Sequence, residues 1–205
     1  VAAFRRATES PHPRPYLLSV GRLTERKGLA PFIDHVFSEL ARTFPELDLV
    51  IIGDEPAEAM AHKTGYKEQI DTRLDRHGLC DRAHLLGWVD DRDLVACYQH
   101  CEALVFPLLE TQGDVEGFGM VAIEAAAAGR PTVAFNVGGV PDAVAHGASG
   151  FLVTPGDYAD MKQRLTSIIR GEVTFPEIAS VADRFCWSQL ASKYTDLFQS
   201  LGKAG

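Results

Sequence analysis

The sequence predicts a doubly wound α/β fold built on a parallel sheet, and three observations support that class. Short apolar runs alternate with longer amphipathic stretches, which is the pattern of parallel strands joined by helical crossovers. The composition, 46% hydrophobic and 23% charged, is that of a globular domain able to bury a full core. Glycines and charged residues follow four of the apolar runs, at the strand ends where such sheets bind ligands.

The elements are assigned in chain order from the period of their apolar residues. The predicted strands are Tyr16–Val20, 47–52, 84–86, Ala103–Phe106, Thr132–Phe135 and 151–153. The predicted helices are 29–44, 67–77, Asp91–His100, 120–128 and 157–169. We expect three segments: a leading segment at 1–15, kept extended by its prolines, the sheet domain at 16–182, and a C-terminal helix at 183–205.

The last helical pattern carries an apolar stripe that includes Phe185, Trp187 and Tyr194. Such a stripe has to be covered, so this helix either packs on the sheet domain or reaches a partner domain. The chain begins at a valine, and we expect it to be a piece of a longer protein.

Composition excludes several classes of function. The net charge of −8 argues against a nucleic-acid partner, because phosphate backbones are bound by clustered Lys and Arg. No apolar run approaches the roughly 20 residues that span a bilayer, and no leader peptide opens the chain, so we expect a cytoplasmic protein. Cys97 and Cys101 lie one helical turn apart beside His100, but without a second ligand pair we interpret them as buried thiols and expect no metal.

Glu124 is the one charged residue in the predicted helix at 120–128, which is otherwise apolar all round. A helix of that composition is expected to be buried, and a buried carboxylate without a partner costs several kcal/mol. Glu124 must therefore meet a donor. The donor is either a group of the protein, in a structural hydrogen bond or salt bridge, or a pair of hydroxyls on a ligand.

The start of that helix has the features of an anion site. Glu116 is followed by Gly117, Phe118 and Gly119, and the two glycines let the backbone approach a ligand closely. Free amides and the positive end of the helix dipole suit a phosphate. Glu116 can accept hydrogen bonds from sugar hydroxyls, although an ordinary loop and cap fits the same residues.

The loop after the first strand, at 21–28, adds two cations at the same edge of the sheet. Arg22 offers a planar fork for phosphate oxygens and Lys27 a compact charge, a pair suited to stabilising a departing diphosphate. The loop matches neither the Walker sequence nor the dinucleotide fingerprint of the NAD-binding fold. Arg26, flanked by Glu25, is predicted to be a solvated surface residue.

Five short motifs together resemble the C-terminal domain of the group 1 glycosyltransferases, the family 4 retaining enzymes of GT-B fold, with its Rossmann-like sheet. They occur in the family's order: Gly21-Arg22 with Lys27-Gly28, Ile51-Ile52-Gly53, Gly87-Trp88-Val89, Glu116 and Glu124 separated by seven residues, and Gly138-Gly139-Val140-Pro141-Asp142.

The resemblance implies roles for these residues. Arg22 and Lys27 would bind the donor diphosphate, Glu124 the ribose hydroxyls and Glu116 the transferred sugar; Arg22, Lys27 and Glu116 would then be catalytic. The remaining donor contacts would come mostly from the main chain, with Trp88 and Val89 bordering the base: Gly21, Gly53, Trp88, Val89, Gly117, Phe118, Gly119, Met120 and Val121.

The resemblance also implies a reaction and its partners. The donor would be a UDP- or GDP-sugar, transferred with retention of configuration and without a metal or other cofactor. The acceptor would be held by an N-terminal domain, which could also mediate peripheral membrane association, and the isolated chain is expected to be inactive or weakly active. A nucleotide-sugar epimerase, a phosphorylase and a non-catalytic sugar-nucleotide-binding module stay open, although no lysine sequence here is typical of pyridoxal phosphate.

Two stretches depart from the family pattern. Asp54, Glu55 and Pro56 stand where a second glycine is common, and an acidic group there would alter the approach to a phosphate or base. The stretch at 108–115 is long and forms either part of a sugar pocket or a surface loop.

Ahead of the helix at Asp91–His100, Asp90, Asp91 and Asp93 are interpreted as capping rather than metal-binding residues. His146 is predicted to lie on the surface.

Overall fold

A six-stranded sheet forms the centre of the computed structural model, which describes residues 3–5, 9–55, 65–110 and 117–202. The strands are β1 (Tyr16–Val20), β2 (Asp48–Ile52), β3 (Ala83–Gly87), β4 (Ala103–Phe106), β5 (Thr132–Phe135) and β6 (Gly150–Val153). All neighbouring strands are parallel, and their spatial order is β3-β2-β1-β4-β5-β6. The predicted doubly wound sheet is confirmed. Its order reverses between β1 and β4, the point where such sheets bind ligands.

The helices cover the sheet, as the strand sequences require. β2, β4 and β5 are buried along their whole length, which is the pattern of strands covered on both faces. The helices are α1 (Leu29–Phe32), α2 (Ser38–Thr43), α3 (Tyr66–His77), α4 (Asp91–His100), α5 (Met120–Ala127), α6 (Val140–Ala143), α7 (Tyr158–Ile169), α8 (Ile178–Asp183) and α9 (Trp187–Gly202). A π-helical segment, Ile33–Phe37, joins α1 to α2, so the helix predicted at 29–44 is present but contains wider turns.

The helix predicted at 183–205 is present as α9, which begins at Trp187, and a further helix that was not predicted, α8, precedes it. The chain forms α8, which packs against α5, and then α9. Between them the Phe185 ring packs on Phe118, with ring centroids 5.5 Å apart, and this contact holds the bend. On α9, Trp187, Tyr194 and Phe198 are 86%, 60% and 68% exposed, so these three rings of the predicted stripe do not pack on the sheet domain.

No helix in the part of the chain that the structure describes combines the length and the apolar character needed to cross a membrane.

Candidate functional site at the carboxyl edge of the sheet

The loops after β1, β2 and β3 meet at the carboxyl edge because glycines allow their backbones to touch. The amide of Gly21 donates to the carbonyl of Ile52 at 2.9 Å, and the amide of Gly53 donates to that of Gly87 at 2.8 Å. A Cβ atom on Gly53 would lie 2.1 Å from the carbonyl oxygen of Gly21, closer than any side chain tolerates. The loops after β1 and β2, two of the four predicted to lie at a ligand-binding edge, therefore touch one another and the loop after β3, and the contact depends on glycine at 53.

Lys27 lies in the loop after β1 with its ammonium group at this edge. Its Nζ is 5.0 Å from the centroid of the Phe106 ring, within the range of a cation–π contact. The aliphatic stem runs beside Gly21, where an added Cβ would be 3.2 Å from Lys27 Cε. The side chain is thus held between a glycine and an aromatic ring.

The two arginines of the same loop are placed differently. Arg22 is exposed beside the edge, as a phosphate ligand would have to be. Arg26 is 8% exposed, so the prediction that it is a solvated surface residue is wrong. The turn at Arg26 packs against the residues that follow β4, where the amide of Leu109 donates to the Arg26 carbonyl at 2.9 Å.

Helix α5 begins at the same edge, and its first turn has no side-chain cap. The N-cap residue is Gly119, which lacks the oxygen that Ser, Thr or Asp would offer to the helix amides. The loop after β5 packs backbone to backbone against the residues before this turn, because a Cβ on Gly139 would lie 2.1 Å from the Gly117 carbonyl oxygen. Trp88 and Met120, both predicted to contact the donor, are 79% and 60% exposed.

Glu124 lies one turn into α5 and has the donor that its setting required. Its Oε2 accepts a hydrogen bond of 2.8 Å from the hydroxyl of Tyr98, a residue of α4 with no exposed surface. Burial raises the pKa of Glu124, the Tyr98 hydrogen bond lowers it, and the charge of Asp91 raises it; the net shift is upward. Within the described residues Tyr98 is its one hydrogen-bond partner, and the side chain is half-buried, so the structural alternative predicted for Glu124 is present at Oε2.

Tyr98 is a site residue that sequence reasoning missed. A signal was present, because a buried tyrosine hydroxyl has to find a polar partner and the apolar helix α5 offers one carboxylate. Burial, followed by the charge of Glu124 and its hydrogen bond, raises the pKa of Tyr98 well above its ordinary value. The phenol therefore stays protonated and donates to Glu124.

Glu116 and positions 111–115 lie outside the described residues, so their predicted roles stay predictions. Leu108, at the start of that stretch, is 1% exposed. Of the acidic residues after Gly53, Glu55 binds the start of α3, where its Oε1 accepts from the amide of Lys67 at 2.8 Å. The Asp54 carboxylate stays beside Gly87, 3.3 Å from where a Cβ would stand.

Three minor predictions agree with the structure. Asp90 caps α4, with Oδ1 accepting from the amide of Asp93 at 2.9 Å, and His146 is exposed. Burial raises the pKa of Cys97 to about 11 and that of Cys101 to about 12. Both thiols therefore stay protonated and pack as apolar groups, as predicted.

A second polar cluster, at the amino edge of the sheet, was not predicted. Asp48 is 1% exposed, and its Oδ2 lies 2.8 Å from His12 Nε2 and 3.2 Å from His84 Nε2. Arg82 Nε donates to Oδ1 at 2.7 Å, and Arg14 Nε lies 3.7 Å from Oδ2. His12, Asp48 and His84 are near enough to hold a metal ion, but with two guanidinium groups on the same carboxylate, ion pairing accounts for the cluster.

Replacing Asp48 by asparagine is expected to lower the free energy of unfolding by about 3 kcal/mol at pH 7, because breaking a buried ion pair leaves its partner charges uncompensated. Burial raises the Asp48 pKa, but hydrogen bonds from Arg82, His12 and His84 outweigh it, so the folded-state pKa is lowered. The stabilisation is thus present above the unfolded-state pKa of about 3.9 and lost as pH falls through the folded-state value. Urea denaturation at pH 7 and pH 3 checks this, since the difference in stability between the wild-type and variant proteins should be smaller at pH 3 than at pH 7; an equal difference at both pH values would contradict it.

The sheet order, with its reversal between β1 and β4, defines a Rossmann-like domain. The sequence model of the family described as Glycosyl transferases group 1 matches residues 1–181, so the chain belongs to that family. It has the fold of the C-terminal domain of a GT-B enzyme.

Individual relatives agree with this assignment. D-inositol 3-phosphate glycosyltransferase 2 of Catenulispora acidiphila is 33% identical over 96% of this chain and 45% of its own length. The structure of HepE from Anabaena in complex with UDP-glucose superposes with a TM-score of 0.72 at 26% identity, covering 92% of this chain and 49% of HepE. Sucrose-phosphate synthase of Thermosynechococcus elongatus superposes with a TM-score of 0.75 at 26% identity, covering 95% and 47%. The chain thus spans about half the length of these relatives.

Proposed function

We propose that this chain binds a nucleoside-diphosphate sugar, a UDP- or GDP-sugar, as the donor for a retaining glycosyl transfer. The observation that carries the proposal is the meeting of a cation, a helix start and a carboxylate at one sheet edge, in Lys27, Gly119 and Glu124. Lys27 and the α5 amides suit a diphosphate. Glu124 lies four residues beyond Met120, about 6 Å along the helix, which suits the distance from a diphosphate to ribose hydroxyls.

The proposed chemistry uses positive charge held by the protein. As the bond between the sugar and the diphosphate breaks, negative charge grows on the departing diphosphate. Positively charged groups that are already in position to meet this charge lower the activation barrier. Lys27 and the exposed Arg22 supply this charge together with the helix dipole, so the proposal requires no metal ion. Glu116 would position the transferred sugar.

The acceptor is proposed to lie on a second, N-terminal domain. The chain spans 45% of the inositol-phosphate relative and 49% of HepE, which leaves the other half of each to form the opposite wall of a cleft. The uncovered rings of α9, Trp187, Tyr194 and Phe198, suit contact with such a domain. The isolated chain should therefore bind donor and transfer sugar poorly.

Isothermal titration of the 205-residue chain with UDP, GDP and ADP tests the proposal. We expect UDP or GDP to bind, and the corresponding nucleoside to bind more weakly because it lacks the diphosphate. A folded sample that binds none of the three nucleotides at millimolar concentration would refute the proposal.

Changing Glu124 to glutamine is expected to weaken binding of uridine or guanosine about tenfold, because a neutral amide replaces a charged acceptor for the ribose hydroxyls. The same change should stabilise the chain without ligand at neutral pH. The folded-state pKa of Glu124 is raised, so the stability of the wild-type protein falls as pH rises through that value, and the amide removes this loss. Titration with the nucleoside and urea denaturation at pH 8 measure both effects.

The exposed Glu46, which precedes β2 at the amino edge of the sheet, provides the matched control, as Glu46→Gln removes the same charge away from the carboxyl edge. It should leave nucleoside affinity unchanged. Equal affinities for Glu124→Gln and wild type would show that Glu124 serves Tyr98 alone.

A further inference from the structure

The Phe106 ring lies beside both groups proposed to bind the diphosphate. The Lys27 ammonium group lies over its face, 5.0 Å from the ring centroid. The ring also packs close to the start of α5, since a Cβ on Gly119 would lie 3.3 Å from Phe106 Cε1. The ring itself is 3% exposed and is the last residue of β4, so its position is set by the sheet.

The surroundings leave this ring and the lysine little freedom. A Cβ on Gly28, next to Lys27, would stand 1.8 Å from the carbonyl oxygen of Pro107, next to Phe106. The Lys27 loop is therefore packed backbone to backbone against the residue that follows the ring. Gly21 and Gly119 leave space for the lysine stem and the ring edge where any side chain would crowd them.

We propose that Phe106 is a positioning residue, which holds the Lys27 ammonium group in register with the first amides of α5 so that both reach one diphosphate. This rests on the proposed donor function. A lysine has four rotatable bonds, and fixing it when ligand arrives opposes binding. A lysine already held over an aromatic face loses less freedom on binding, so the ring raises affinity without touching the ligand.

The test compares Phe106→Leu with wild type by titration with UDP and uridine, and with GDP and guanosine. Phe106→Leu removes the aromatic face and keeps an apolar side chain in the core. We expect diphosphate binding to weaken by about threefold to tenfold, the usual strength of a partly buried cation–π contact, with nucleoside binding unchanged. Phe106→Tyr, which restores the aromatic face, should recover diphosphate affinity.

Phe135→Leu is the matched control. Phe135 ends the neighbouring strand β5, is fully buried and packs on Tyr158 at 5.2 Å instead of on a lysine. It should lower stability as Phe106→Leu does and leave the ratio of UDP to uridine affinity at the wild-type value.

A double-mutant cycle with Lys27→Met separates positioning from packing. If the ring acts through the lysine, Phe106→Leu should have no further effect on diphosphate affinity once Lys27 is methionine. Additive losses, or an unchanged UDP-to-uridine ratio in Phe106→Leu, would overturn this inference while leaving the donor function standing. Absence of nucleotide binding in the wild-type chain would instead refute the donor function.

Discussion

Lys27→Met should weaken UDP or GDP binding by about 10- to 100-fold and leave binding of the nucleoside within about twofold. A hydrogen bond between charged groups contributes about 1.5 to 3 kcal/mol, and each 1.4 kcal/mol is a factor of about ten. Methionine keeps the apolar stem beside Gly21 and removes only the charge near Phe106. Parallel titrations with nucleotide and nucleoside measure the effect.

The size of the effect should depend on where the cation lies. Arg22→Ala should reduce diphosphate affinity less, because Arg22 is exposed and solvent screens its charge. Lys67→Met removes an exposed lysine of α3 and should change neither affinity. Equal losses of nucleotide and nucleoside affinity in Lys27→Met would rule out a role at the diphosphate.

Gly28→Ala should lower the free energy of unfolding by about 2 to 5 kcal/mol. Gly28 has a φ of +67°, where a side chain costs roughly 1 to 2 kcal/mol. Its new methyl group would stand 1.8 Å from the Pro107 carbonyl oxygen, and crowding in a packed region costs about 1 to 3 kcal/mol more. The clash is with backbone, so no rotamer change relieves it. Urea denaturation gives the difference.

Gly78→Ala separates the two contributions. Gly78 has a φ of +66° and nothing within 4 Å of an added Cβ, so this variant should show the cost of backbone conformation alone. A Gly28→Ala protein as stable as Gly78→Ala would mean that the loop after β1 moves away from β4 without cost. The Lys27 position would then be adjustable rather than held.

The fold was predictable because burial on both faces leaves a strong sequence pattern. β1, β4 and β5 have the predicted bounds, since each is a short, mostly apolar run bounded by polar or turn-forming residues. Glu124 could be singled out for the same reason, as one carboxylate in an apolar helix needs a partner. The C-terminal helices were less predictable, because the break after Asp183 is held by the Phe118–Phe185 contact between distant residues.

By itself, the sequence determined the class of fold, the loops that form the site and the need of Glu124 for a donor, because these follow from local period, glycine placement and the cost of a buried charge. The tertiary structure alone identified that donor as Tyr98, buried Arg26, placed Phe106 beside both Lys27 and α5, and gathered His12, Arg14, Arg82 and His84 around Asp48. These contacts join residues far apart in the chain. Their partners are set by how strands and loops come together in space, which no local pattern records.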